Sequence, residues 1–255
     1  MIYDLIDTFR KKLKDGFVLG VFSKTCDPAF IETMGYGGLD FVIIDLEHGP
    51  NSVQTVQNLL RAAELSGIFP IVRVKEYNYS VIGEVLDAGA GGIQVPKITG
   101  AEDARRVFEL SKFAPSGNRG VCRFVRAAGY SSVDRYRYFR EANRTIVVLQ
   151  LEGEEAIGNL QEIVQVQGPD ILFIGPYDLS QSMGVSGQID HPLVERKMKE
   201  IIGSCRERNI AVGTFVDTME NAHKWRRAGI SYLAYSVDVG LFLDTCAELV
   251  RSIRG

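Results

Sequence analysis

Eight short apolar runs, separated by amphipathic stretches, are the strongest constraint on how this 255-residue chain can fold. The runs fall at 17–22 (FVLGVF), 40–44 (DFVII), 69–74 (FPIVRV), 91–95 (GGIQV), 146–151 (IVVLQL), 170–174 (DILFI), 211–216 (AVGTFV) and 231–236 (SYLAYS). Between them lie helix-patterned segments at 52–66, 78–88, 99–112, 154–166, 192–208, 218–228 and 239–253. Asp103, Ala104, Val107 and Leu110 recur at the i, i+3, i+4 spacing of a helix lying on a sheet, and Val194, Met198, Ile201, Ile202 and Cys205 do the same. The runs are nearly continuous in hydrophobicity rather than alternating, the pattern of parallel strands covered on both faces. Eight strands interleaved with helices in about 250 residues match an α/β fold of the (β/α)8 TIM-barrel type. A further helix is expected at 3–15, ended by Gly16, and the whole of 1–255 reads as one barrel domain.

A doubly wound open sheet would carry a GxGxxG turn directly after its first strand. Here that strand is followed by SKTCDPAF, in which Asp27-Pro28 starts a helix. GYGG (35–38) and GAGG (89–92) precede strands, where they fit helix ends and turns. One stretch breaks the rhythm. Residues 114–143, rich in arginine and tyrosine, separate the fourth helix from the fifth strand. So long an excursion is expected to cover the active site or to build an oligomer contact.

Composition narrows the partners. Lys plus Arg total 29 against 32 Asp plus Glu, a formal charge of −3, which leaves no electrostatic footprint for nucleic acid or an anionic membrane. Cys26, Cys122, Cys205 and Cys246 form no CxxC or Cys/His cluster and read as reduced thiols of a cytoplasmic protein. The first residues lack the apolar run of a signal peptide, and no stretch approaches the roughly 18 apolar residues of a membrane span.

In a TIM barrel the C-terminal strand ends converge on the catalytic face. The second strand runs into Asp45-Leu46-Glu47-His48, the third carries Arg73, and the fourth ends at Pro96-Lys97. The fifth ends in Gln150-Leu151-Glu152, and the sixth opens into Gly175-Pro176-Tyr177-Asp178. A charge such as Arg73 within a buried strand requires an anionic partner. Glu152 and Asp178, from adjacent strands, form a hard-oxygen pair suited to Mg²⁺ or Mn²⁺ with water and substrate, though pairing with Arg73 or Lys97 is the plainer alternative. With no cysteine and one histidine at the mouth, structural zinc is disfavoured. His191 reads as a helix cap and His223 as a residue of an exposed helix face.

Six strings carry a resemblance to a known family. They are FVIIDLEHGP (41–50), PIVRV (70–74), GAGGIQVPKI (89–98), NRGVCRFVRAAGY (118–130), VVLQLEGEEAIGNL (147–160) and FIGPYDLSQSMG (173–184). In order and spacing they resemble the HpcH/HpaI aldolases, from about residue 15 to the C-terminus. The resemblance implies a class II pyruvate aldolase using Mg²⁺, Mn²⁺ or Co²⁺ held by Glu152 and Asp178. It further implies His48 as catalytic base, oriented by Asp45, with Asp87 contributed across a subunit contact. Arg73 and Gln150 would bind the keto acid, beside backbone groups at Gly175, Pro176 and Tyr177. It also implies a homo-oligomer built from dimers, possibly a hexamer, that exchange the last helix, here 239–253. Leu46, Lys97 and Tyr177 depart from the Gly, Met and Ala common in relatives acting on heptanedioate, so the aldehyde partner does not transfer with the fold.

The chemistry expected is reversible cleavage of a 4-hydroxy-2-keto acid to pyruvate and an aldehyde through a pyruvate enolate. Three rivals stay open at this point: a Schiff-base aldolase using Lys97, a citrate-lyase-like enzyme acting on an acyl-CoA acid, and an inactive barrel that binds keto acids.

Overall fold

The structure, a computed structural model, describes residues 2–75 and 79–255. Eight parallel strands close into a barrel in sequence order: β1 (Val18–Ser23), β2 (Phe41–Asp45), β3 (Phe69–Arg73), β4 (Gly92–Val95), β5 (Ile146–Leu151), β6 (Ile171–Ile174), β7 (Ala211–Val216) and β8 (Tyr232–Val237). Every apolar run is a strand, displaced by one residue at most at either end. Around and beneath the strands lie α1 (Ile2–Asp15), α2 (Pro28–Tyr36), α3 (Val53–Ser66), α4 (Tyr79–Asp87), α5 (Ala101–Ser111) and α6 (Arg135–Ala142). The chain continues through α7 (Glu154–Gly158), α8 (Leu160–Ile163), α9 (Pro176–Ser182), α10 (Pro192–Glu207), α11 (Met219–Ala228) and α12 (Asp238–Arg254). Residue 78, where the segment before β4 was expected to begin, lies outside the described residues.

Local chemistry sets the helix ends. The Asp27 carboxylate accepts from the Ala29 amide at 2.9 Å, and Pro28 occupies the first helical position of α2. Ser52 and Thr55 form a reciprocal capping box at the start of α3, and Gly67, at φ 76°, closes that helix in the left-handed conformation.

Burial divides into two layers. Leu, Ile and Val side chains from the outer strand faces pack against the ring of helices. Inside the barrel stands a column of larger rings, with Phe41 stacked on Tyr232 at 4.1 Å and Phe173 edge-on to Tyr232 at 5.9 Å. A Cβ on Gly20 would collide with the Phe41 ring and one on Gly213 with the Tyr232 ring, so glycine in those strands makes room for the aromatics. The N-terminal end of the barrel is plugged by α1, whose Phe9 stacks on Phe69 at 4.2 Å. This is the floor.

Two expectations change. The segment at 154–166 is two short helices that meet at Asn159, whose side-chain amide donates to the Thr99 carbonyl. Residues 114–143 do not cover the mouth of their own barrel. They lead into the N-terminal end of β5 and pack under α1, where the Tyr3 hydroxyl donates to the Ala127 carbonyl at 2.9 Å. A connection from a helix to a strand lies at the floor of a parallel barrel, and that topology overrides the length of the insertion.

Candidate active site

Three strands set the first row of polar side chains. In the barrel register Asp45 lies opposite Arg73, and Arg73 opposite Gln94. Arg73 donates to Asp45 through Nε at 2.9 Å and Nη2 at 2.7 Å, a two-pronged pair with the carboxylate fully buried. Burial alone would raise the Asp45 pKa, but the Arg73 hydrogen bond and charge more than offset it and hold the carboxyl below its usual value. The guanidinium also lies over the Phe22 ring at 4.7 Å and reaches Glu47 Oε2 at 3.3 Å.

A polar relay climbs from the core to the second row. Gln94, fully buried, donates to the side-chain oxygen Oε1 of Gln150 at 2.7 Å, and Gln150 Nε2 in turn donates to Glu152. The other Glu152 oxygen accepts the Lys97 amide at 2.9 Å, with Lys97 in the left-handed region at φ 59°. Burial, countered in part by the Gln150 hydrogen bond but reinforced by the charges of Asp178 and Glu47, leaves the Glu152 pKa raised.

Glu152 and Asp178 meet at Gly175. A Cβ at Gly175 would sit 3.4 Å from Asp178 Oδ2 and 3.5 Å from Glu152 Oε2. The missing side chain thus leaves a space bounded by two carboxylates. Among the described residues no group of three or more His, Cys, Asp or Glu converges as a closed metal cage. Two carboxylates plus substrate and solvent oxygens are nonetheless the usual protein share of a Mg²⁺-type site, and mutual repulsion at the gap is what a cation would relieve. The residues fit such an ion. Beside them a cavity of about 290 Å³ opens between Phe22, Lys24, Arg73, Phe173, Tyr177 and Asp178.

The remaining expected residues divide. His48 stands at the rim, 62% exposed, with Nε2 3.8 Å from Glu47 Oε2. Asp45 does not orient its ring. Asp45 accepts the His48 backbone amide at 3.3 Å and that of Glu47 at 2.9 Å, so it shapes the turn and leaves Glu47 nearest the imidazole. Among Gly175, Pro176 and Tyr177, Pro176 has no N–H and the Gly175 amide is spent on the Leu151 carbonyl. Tyr177 donates its hydroxyl to Asp217, and burial with that hydrogen bond pushes the phenol up to about 12. Asp87 is not at this mouth. It ends α4 at the floor and pairs with Arg119 at 2.5 Å.

Sequence reasoning missed Gln94 as a site residue and left Glu47 without a role. Gln94 carried a signal: it is the polar residue in a short strand otherwise made of Gly, Ile and Val. Glu47 lost out to its neighbours because nothing local tells which carboxylate of DLEH faces the ring.

Comparison with known proteins identifies the family. Residues 18–245 match the family model described as HpcH/HpaI aldolase/citrate lyase. The chain belongs to the HpcH/HpaI aldolase/citrate lyase family. It is 32% identical to a hydroxypyruvate/pyruvate aldolase of Roseobacter denitrificans over 94% of both chains. It is 30% identical to a 2-dehydro-3,6-dideoxy-6-sulfogluconate aldolase of Pseudomonas putida, over 93% of this chain and 92% of that one. A solved HpcH/HpaI family protein from Burkholderia cenocepacia superposes with a TM-score of 0.92 at 30% identity, over 97% of this chain and 99% of that one. These curated relatives are aldolases, which are carbon–carbon lyases. No helix among the described residues is long and apolar enough to cross a membrane.

Proposed function

We propose that this family member is a divalent-metal-dependent pyruvate aldolase that cleaves a 4-hydroxy-2-keto acid to pyruvate and an aldehyde, reversibly. The observation that carries the reading is the carboxylate-lined gap at Gly175 beside the buried Arg73. Mg²⁺, Mn²⁺ or Co²⁺ held there by Glu152 and Asp178 would supply the Lewis acid that draws electron density from the keto oxygen.

The chain's own groups do the rest. Arg73, locked by Asp45, presents its remaining donors to the carboxylate and keto oxygens of the bound acid. Gln150, steered by Gln94, orients Glu152. The amides of Tyr177 and Asp178 are the free donors of the turn after β6. His48 at the rim takes the proton from the C4 hydroxyl as the C3–C4 bond breaks, directly or through one water. Its solvent-facing position suits a base that must exchange its proton with bulk water between turnovers. A Schiff base on Lys97 fits less well, since that side chain is 68% exposed and lies 3.6 Å from Glu47, without the desolvation such a lysine uses.

The working unit in this reading is an oligomer of the one barrel domain, built from dimers that can assemble into a hexamer. Along α12, Phe242, Leu243, Leu249, Val250 and Ile253 are exposed, an apolar stripe that a second copy would cover by helix exchange. Asp87 pairs with Arg119, and the segment that follows Arg119 exposes Val121, Phe124 and Tyr130, a surface through which Asp87 would reach a neighbour's mouth. Four unpaired cysteines suit a cytoplasmic setting. The test is a panel of 4-hydroxy-2-keto acids with Mg²⁺, Mn²⁺ or Co²⁺, read by pyruvate release. The expected result is release that chelator abolishes. Release that persists in chelator, trapped by borohydride, would transfer the chemistry to a lysine.

A further inference from the structure

The loop after β1, which forms one lip of the mouth, is held by a single carboxylate from the far end of the sequence. Asp238, the first residue of α12, is 3% exposed. It accepts from Ser23 Oγ at 2.8 Å, the Lys24 amide at 3.0 Å, the Thr25 amide at 3.1 Å and Thr25 Oγ1 at 3.0 Å. A carboxylate that only favoured its own helix start would need the Val239 amide alone, which Asp238 also accepts at 2.8 Å. The other contacts all leave the helix and grip three consecutive residues of the lip. Asp238 is also the one buried residue of α12.

Lys24 sits in the middle of that grip. Its Nζ lies 3.5 Å from Asp45 Oδ2 and 3.4 Å from the His48 carbonyl oxygen, on the wall of the cavity that Arg73 and Asp178 line. Asp45 already accepts two N–H groups of Arg73 and two backbone amides, so an ammonium with three donors keeps at least one for the cavity. Thr25 extends the tie, since its carbonyl accepts from Asn51 Nδ2 at 3.3 Å just beyond the turn that carries His48.

We propose that Asp238 is a positioning residue that fixes Lys24 at the mouth as a second cation, beside Arg73, for the oxygens of the bound keto acid. What Lys24 binds rests on the aldolase reading; the clamp itself does not. A lysine stem has several free torsions, so pinning the backbone on both sides of it is what limits where the ammonium reaches.

Three variants test this: Lys24→Met, Asp238→Asn and the double variant, followed by steady-state cleavage kinetics and amide hydrogen exchange. Lys24→Met should raise KM for the keto acid about tenfold, the scale of a lost hydrogen bond to a charged group, with the melting temperature unchanged. Asp238→Asn should raise KM to a similar degree and release the Lys24 and Thr25 amides to exchange. The double variant should be no worse than Lys24→Met, because the second change acts through the first. A merely structural Asp238 would lower the active fraction and kcat while leaving KM intact. Effects that multiply in the double variant, or an Asp238→Asn enzyme with normal KM, overturn the proposal. Should Asp238→Asn not fold, Thr25→Val removes one donor of the clamp, and its smaller rise in KM must likewise vanish with Lys24→Met. If the wild type cleaves no keto acid, the aldolase reading fails alone. The clamp is then judged by exchange and by calorimetry with oxalate, a planar dianion shaped like an enolate; equal oxalate affinity in all three variants and the wild type overturns it.

Discussion

The two ends of this barrel are built to opposite rules. At the floor, aromatic rings fill the space, and most of the surrounding charges are paired, Arg119 with Asp87, Arg126 with Glu64 and Arg10 with Asp170. At the mouth, Asp45, Glu47, Glu152 and Asp178 outnumber Lys24, Arg73 and Lys97. The volume of an opening does not mark function here. The larger cleft, about 790 Å³, lies near the floor between Arg10, Lys14 and Arg206, where no strand end delivers a reactive group. One scaffold therefore spends its packing at one end and keeps unrelieved charge at the other, the arrangement expected where stability is traded for chemistry.

The largest break in that comparison should come from Asp178→Asn. Cleavage is expected to fall about 10³-fold, the scale of several kcal/mol of transition-state stabilisation. Removing one of the crowded carboxylates should at the same time raise the melting temperature of the metal-free protein by about 2–4 °C. Kinetics and calorimetry on one preparation decide it; a variant that loses activity by melting earlier would place Asp178 among the structural residues. The converse experiment is Phe9→Ala at the floor. It should cost about 3–5 kcal/mol in denaturant unfolding while leaving turnover per folded molecule unchanged.

How much of this contrast could be read from the residues alone depends on how local the cause is. The strands were legible because a buried strand declares itself in a short, mostly apolar run. The gathering of Asp45, Arg73, Glu152 and Asp178 followed, because in a closed parallel barrel every strand must end at one face. Partner choice was not legible. Asp45 takes Arg73 and leaves the His48 ring because their strands are in register, which spacing within DLEH cannot reveal. Lys24 and Asp238 are joined across 214 positions by barrel closure, and neither stands out in its own neighbourhood. The segment 114–143 was legible as an insertion, but its length could not tell which end of the barrel it occupies.

Acidity separates the two mouth carboxylates by sign. Burial raises Glu152, so its charge opposes folding at neutral pH, and that penalty fades as pH falls through its raised folded value. Asp45, held low by Arg73 against its burial, contributes stability above its unfolded value that is lost as pH falls through the lower folded one. Glu152→Gln should therefore melt above the metal-free wild type at neutral pH, with the gap closing at mildly acid pH. A gap that is constant across the titration would detach Glu152 from the charge crowding. The smallest effect belongs to Lys97→Gly, which should relieve the left-handed backbone for a gain below about 1 kcal/mol, part of it offset by the greater freedom of glycine in the unfolded chain. A measurable loss in thermal unfolding would mean that the lysine side chain outweighs its backbone strain.

A mouth that stabilises a pyruvate enolate should exchange the pyruvate methyl protons into D₂O, a step that is read without any aldehyde. With Mg²⁺, Mn²⁺ or Co²⁺ present, the methyl signal of pyruvate should fade in proton NMR at a rate set by the enzyme, and chelator or Asp178→Asn should stop it. A methyl signal that stays intact while pyruvate demonstrably binds would mean that the mouth does not form the enolate.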